Sequence, residues 1–308
     1  MTSLKGYFFY TIGFVLIPTA VLGSRISKSS NQILKVQCGI SAAKNLSTNR
    51  SIDDGSAKSN PYPWLVSIKY EAADDTFVCR GALISSHHIL TAAHCVTVTQ
   101  TDRPCGLGKT QRKMNLTTLN SSKFSVFLAR DCGFSRECGA RRNVAEIIIH
   151  QEWDRCDQSS DIAIMELSEE VRIEPGQQIC LPDRDLHLQE HLKAVGSGQN
   201  AFSHGQLNSD TFVGDFHLQA ENATTKTLQT VEKSKVLCTG DSGGPLIQVH
   251  SGRYIVVGVL AGGYPDYFLN NFGDVRYHLD WVCQHTGENF LTRPYYTMFL
   301  KKYSLGFA

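Results

Sequence analysis

Three short stretches of this sequence hold residue types that together can break an amide or ester bond. Gly240-Asp241-Ser242-Gly243-Gly244-Pro245 sets a serine among glycines, Thr91-Ala92-Ala93-His94-Cys95 closes a strand-like run on a histidine, and Asp161-Ile162-Ala163-Ile164-Met165 puts a carboxylate ahead of an apolar run. A serine hydroxyl alone is too weakly acidic to attack a carbonyl. A histidine that takes its proton, and a carboxylate that holds the histidine in the right tautomer, make it a nucleophile. The glycines let the backbone turn tightly and aim amide N–H groups at one point, an oxyanion hole built from Gly240 and Ser242. A plain glycine-rich turn accounts for the glycines but not for the Asp-Ser pair. Asp commonly starts strands, so Asp161 draws its weight from lying between the other two stretches. Cys79 lies upstream of Cys95 and is its natural partner, pinning the histidine segment. His87 and His88 read as turn residues without a chemical role.

The elements that must position these residues read as short strands. Pro63 to Ile68 alternates apolar and polar, Ala82-Leu83-Ile84 and His88-Ile89-Leu90 flank a polar turn, and Val144 to Ile149, Asp161 to Leu167 and Tyr254 to Leu260 are further β-branched runs. Helical periodicity is scarce, and its best candidate is Val275 to His285. Many short strands separated by Gly, Pro, Asn and Asp clusters predict an all-β sandwich or a pair of barrels. Residues 99–142 are polar and read as a long, disulfide-tied surface insertion, with Arg141-Arg142 on a solvated loop. Residues 24–51 are Ser/Asn-rich and read as a linker or pro-segment. Residues 288–308 form a tail with no assigned role.

The N-terminus bears on where the protein works. Lys5 precedes an apolar run from Tyr7 to Leu22, which ends in small residues. That is a signal-peptide pattern over residues 1–23, and the run is short of the roughly 20 residues needed to span a bilayer. Ten cysteines fit export and disulfide formation, and no pair has the Cys-x2-Cys spacing of a zinc site. Five sequons, at Asn45, Asn49, Asn115, Asn120 and Asn222, fit the same route. The net charge of +1 leaves no single-sign field to attract nucleic acid or an acidic membrane. Extracellular localisation follows as the expectation, with no membrane contact after signal removal.

The three motifs, in the order TAAHC, DIAIM, GDSGGP, resemble those of the trypsin/chymotrypsin family of serine peptidases, from about Ile52 to Gly287. The resemblance implies two antiparallel six-stranded β-barrels with a C-terminal helix, over a peptidase domain at 52–287. It implies a triad of His94, Asp161 and Ser242 hydrolysing peptide bonds through an acyl-enzyme, with no cofactor or metal. Expected partners are protein or peptide substrates, an activating protease and protein inhibitors. By the same resemblance Cys38 pairs with Cys180 and Cys79 with Cys95, and the other six cysteines keep 15 formal pairings. Cys238 sits where the family bridges the pocket entrance. Its usual partner is absent, and Cys283 is a conceivable substitute.

The resemblance also implies a zymogen. Cleavage would free an amine that pairs with Asp241, and the region to be cut holds Arg50, Ser51 and Ile52. Asp53 and Asp54 depart from the family's small residues there. The pocket floor falls at Val236, which cannot pair with Arg or Lys, and Gly263 helps to wall the pocket. Apolar or aromatic side chains are therefore expected at the cleavage site. Ala261 and Gly262 replace the family's Ser-Trp. Two other readings stay in view. One is a non-catalytic homologue acting as a binding or regulatory protein. The other is an α/β-hydrolase elbow at Gly240-x-Ser242-x-Gly244. The second needs the order Ser, acid, His, yet only 66 residues follow Ser242, with Asp266 and His278 among them, and the upstream chain lacks βαβ alternation.

Overall fold

The computed structural model describes residues 25–40, 62–73, 75–98, 117–128, 140–172, 177–196, 212–233, 237 and 239–287. Twelve strands form two sheets. The first holds β1 (Leu65–Ala72), β2 (Asp75–Leu83), β3 (His88–Thr91), β4 (Phe124–Leu128), β5 (Val144–Ile149) and β6 (Ala163–Leu167), in the spatial order β4-β1-β2-β3-β6-β5. The second is a closed barrel in the order β10-β11-β12-β9-β8-β7. Its strands are β7 (His191–Gly196), β8 (Phe212–Asn222), β9 (Thr227–Val231), β10 (Pro245–His250), β11 (Arg253–Tyr264) and β12 (Leu269–Asp274). The fold is therefore the all-β pair of six-stranded barrel-like sheets that the resemblance implies, closed by a short helix. No helix among the described residues is long and apolar enough to cross a membrane.

Each sheet curls around its own apolar filling. Trp64, Ile68, Leu83, Ile89, Leu90, Phe124 and Ile164 are sealed inside the first, and Leu192, Phe216, Leu228, Leu246, Val257 and Phe272 inside the second. The β1–β2 hairpin sets Ile68 opposite Cys79 and Tyr70 opposite Phe77. The Tyr70 ring packs 5.0 Å from Phe77 and 4.9 Å from Phe124, a cross-strand aromatic cluster.

Two readings need correction. Residues 99–142 are not solely a surface insertion: Phe124, Val126 and Leu128 are buried, and β4 pairs along β1 from Val66 to Tyr70. The alternation Phe-Ser-Val-Phe-Leu was hidden between two polar stretches. Residues 24–51 are not solely a linker either. Lys28–Gln37 form α1, capped by the Ser27 hydroxyl accepting from the Ser30 N–H. Leu34 and Asn31 are buried while Ile33 and Val36 stay exposed. Lys and Ser dilute the apolar stripe, and tertiary anchoring compensates for it. Cys38 is bonded to Cys180, Arg253 donates to the Cys38 carbonyl at 3.0 Å, and the Ile26 N–H donates to the Thr286 carbonyl at 2.9 Å.

The closing helix is the one read from periodicity, with a tighter start. Val275–His278 form a 3₁₀ turn capped by Asp274, and α2 follows at Leu279–Thr286. Gly287 ends it in the left-handed region at φ 77°, its N–H bonded to the Cys283 carbonyl.

Folding also holds three imidazoles neutral. Burial drives His88 and His150 down to about 4 and lowers His278. The unfolded chain takes up these protons below pH ~6.5, while folded His88 and His150 do not until about 4 and folded His278 takes its proton at a lower pH than the unfolded chain does. Stability from these groups is therefore present above pH 6.5 and is lost as the pH falls toward 4. For His88 alone the loss by pH 4 is on the order of 3 kcal/mol. Denaturant titrations from pH 7 to 4 should show this fall, and His88→Gln should flatten it. A variant whose stability falls as steeply as the wild type contradicts the assignment.

Candidate active site

His94 sits in a 3₁₀ turn, Ala93–Cys95, at the exit of β3. The turn is anchored below by the Cys79–Cys95 disulfide and by the Thr97 hydroxyl donating to the Ala93 carbonyl at 3.0 Å. Asp161 stands just before β6, the strand paired with β3, and is 2% exposed. Its turn includes two non-glycine residues in the left-handed region, Gln158 and Ser160. The Ile162 N–H bonds back to the Ser160 carbonyl at 2.8 Å. Strand pairing thus brings together two residues 67 positions apart. Asp161 Oδ1 accepts the His94 backbone N–H at 2.9 Å, and Oδ2 accepts from Nδ1 at 2.6 Å. The carboxylate's two bonds fix the imidazole, and with Nδ1 as the donor, Nε2 is left to accept a proton. Burial disfavours charge on His94, but the Asp161 charge and hydrogen bond outweigh it and raise the pKa above 6.5.

Ser242 belongs to the turn entering β10. Gly240 and Gly243 take φ 95° and 80°, which side chains rarely adopt. A Cβ on Gly243 would stand 2.3 Å from the Arg80 carbonyl, 2.3 Å from Thr91 Oγ1 and 3.1 Å from the Ala92 nitrogen. The serine turn therefore lies directly on the segment that leads to His94. The Arg80 N–H donates to the Ser242 carbonyl at 2.7 Å, tying the turn of one barrel to β2 of the other. The Gly243 N–H bonds the Leu260 carbonyl and the Gly244 N–H bonds that of Asp241, both at 2.9 Å. Among the described residues, no hydrogen bond uses the N–H of Gly240 or Ser242, and none joins Ser242 to His94. Asp241 is 1% exposed.

Cys79, His94 and Cys95 bring donor atoms within 4.8 Å of one another. The two sulfurs are spent on their disulfide, so this is not a ligand set for a metal.

On the side where the resemblance puts the pocket, Gly263 faces Asn270 across β11 and β12. The pairing slips between Leu260 and Gly262, a bulge that bends the wall at Ala261. A Cβ on Gly263 would stand 2.0 Å from the Leu237 carbonyl, so the two sides touch here. Gln158 reaches across Gly262, with Nε2 3.2 Å from a Cβ there, and its Oε1 accepts from Asn271 Nδ2 at 3.1 Å. Gln158, Leu237 and Asn270 were passed over in the sequence. The available signal was the pair Asn270-Asn271 inside a strand, where asparagine is depleted.

Val236, Cys238, Arg50, Ser51, Ile52, Asn45, Asn49 and Asn115 lie outside the described residues. Asn120 and Asn222 are exposed. Cys283 keeps its thiol, which removes it as a substitute bridge partner for Cys238. Cys156 is disulfide-bonded, to a cysteine outside the described residues.

The family model described as Trypsin matches residues 52–275. Rat (Rattus norvegicus) chymotrypsin-C is 31% identical over 236 residues, covering 71% of this chain and 80% of the relative. The CLIP domain-containing serine protease B4 of Anopheles gambiae is 27% identical over 264 residues, covering 76% and 70%. Vitamin K-dependent protein C of Oryctolagus cuniculus is 24% identical over 264 residues, covering 78% and 53%.

Proposed function

The chain belongs to the trypsin family of serine peptidases, and from that premise we propose that it is a secreted serine endopeptidase using Ser242, His94 and Asp161. The observation that carries this reading is the two-bond hold of Asp161 on His94, at 2.9 and 2.6 Å, beside the turn of Ser242. His94 accepts the Ser242 proton at Nε2 as the hydroxyl attacks the scissile carbonyl. The resulting imidazolium is stabilised by Asp161, and the N–H groups of Gly240 and Ser242 hold the oxyanion. His94 then returns the proton to the leaving amine. Water repeats the sequence on the acyl-enzyme.

The family implies protein substrates. At the cleavage site we assign a preference for apolar or aromatic side chains, since Val236 offers no carboxylate to Arg or Lys. Export is supported by the apolar run 7–22, by the two disulfides described and by the exposure of Asn120 and Asn222. Synthesis as a zymogen, cut in the region of Arg50, Ser51 and Ile52 to free a terminus for Asp241, completes the proposal. The unusual residues at 51–54 leave a non-catalytic binding homologue as the competing reading.

A fluorophosphonate probe, which labels only an activated serine, decides between them. Labelling that appears after limited cleavage within 44–56 and vanishes in Ser242→Ala is the expected result. Labelling before cleavage keeps the triad and removes the zymogen step. A folded, cut protein that never labels is the binding homologue.

A further inference from the structure

Asn270, in β12, is 0% exposed. Its Oδ1 accepts the Leu237 N–H at 3.0 Å and lies 3.4 Å from where a Cβ on Gly263 would stand. A backbone N–H only donates, which decides the amide end that faces it. The other end, Nδ2, carries two N–H donors and has no hydrogen-bond partner among the described residues. Buried donors are rarely left so, and leucine would fill the same space without one. The amide sits between Leu237, which follows the floor residue Val236 in the chain, and Gly263, which walls the primary pocket on the reading above. Nδ2 is out of reach of solvent, and the Leu237 carbonyl lies close against Gly263 beside it.

We infer that Asn270 is a specificity-determining residue of the primary pocket, donating from Nδ2 to an acceptor at the end of the substrate side chain. This rests on the peptidase reading and replaces its general apolar preference with a more specific one. The pocket takes neutral side chains that carry an acceptor, tyrosine or glutamine, over their all-carbon counterparts phenylalanine and leucine. A carbon-only side chain leaves the donors unpaired, and a site built to hydrogen-bond its substrate rejects such an analogue strongly. Lys and Arg bring no acceptor. A carboxylate loses its hydration without meeting a counter-charge.

Two measurements test this. The first is kcat/KM of the cleaved protein on peptides that differ only as Tyr or Phe at the cleavage site. The second is calorimetric binding of the matching product peptides, ending in Tyr or Phe, to Ser242→Ala. Tyr is expected to lead by about 10-fold or more in both. Asn270→Asp keeps an acceptor for the Leu237 N–H but removes the donors, and should erase the lead. If that variant does not fold, the wild-type ratio decides alone. Equal cleavage of Tyr and Phe peptides overturns the inference and leaves the peptidase standing. Tyr-selective binding without turnover or fluorophosphonate labelling upholds the pocket and overturns the peptidase. Binding of neither peptide overturns the inference.

Discussion

Ser242→Ala should lower kcat for peptide hydrolysis by on the order of 10⁶-fold while leaving the fold intact. The fold is spared because the residue's structural bond, from the Arg80 N–H, goes to its backbone carbonyl and not to its hydroxyl. The neighbouring glycines keep their φ values, and the amides of Gly240 and Ser242 keep their positions. A remnant of roughly 10³-fold over water should persist from oxyanion binding. His94→Ala should cost as much, and the double variant little more, because the two residues act as one unit. Steady-state assays on the cut wild type and variants check this. Activity within tenfold of wild type in Ser242→Ala would place the nucleophile elsewhere.

Asp161→Asn should cost about 10⁴-fold in kcat with almost no change in shape. The carboxylate accepts from two donors at once, the His94 N–H and Nδ1. An amide has one acceptor oxygen. The backbone N–H cannot change its role, so it claims that oxygen, and the amide NH₂ then faces Nδ1. Nδ1 must become the acceptor, which moves the ring proton to Nε2, where the Ser242 proton has to go. Charge tells the same story in pH. The Asp161 charge and hydrogen bond raise the His94 pKa against the opposing effect of burial. The acid limb of kcat/KM in the wild type should therefore lie above pH 6.5, and it should move down in Asp161→Asn, where burial acts unopposed. Kinetic pH profiles of both proteins would show the displacement. An acid limb that stays in place would mean that His94 is not the titrating base.

The sequence made the centre of this molecule readable and its edges obscure, for physical reasons. The strands beside the chemistry are buried and continuous, so β3, β6 and the front of β11 stand out as apolar runs. β7, β8 and β9 carry polar residues on one face: His191, Lys193, Asp215 and His217 pair across β7 and β8, and that dilution hid them. β4 was hidden by the polar residues around it, and α1 by a diluted stripe supported by its disulfide and by hydrogen bonds to Arg253 and the closing helix. The glycine turn and TAAHC could be read because their chemistry demands specific residues at adjacent positions. Asn270 left only the faint mark of an asparagine pair inside a strand, because its contacts with Leu237 and Gly263 are made only in the closed barrel.

The bond from Cys38 to Cys180 joins residues 142 positions apart. Everything between them, including the whole first sheet, is a covalent ring, and the second sheet begins where that ring is sealed. A single nick anywhere inside the ring, at the 41–61 stretch or in residues 99–116, opens it without releasing a fragment. An electrophoresis gel without reductant would show one band of unchanged mass, and only a thiol would reveal how many cuts had been made. The ring also limits what the unfolded chain can do, a restraint of about 5 kcal/mol for a loop of this size on chain-entropy grounds. A nick surrenders that restraint, and a nick at 50–52 sets against the loss the pairing of the freed terminus with Asp241. A molecule nicked inside the ring but away from 50–52 would thus run at unchanged mass without reductant and yet melt sooner than its uncut precursor.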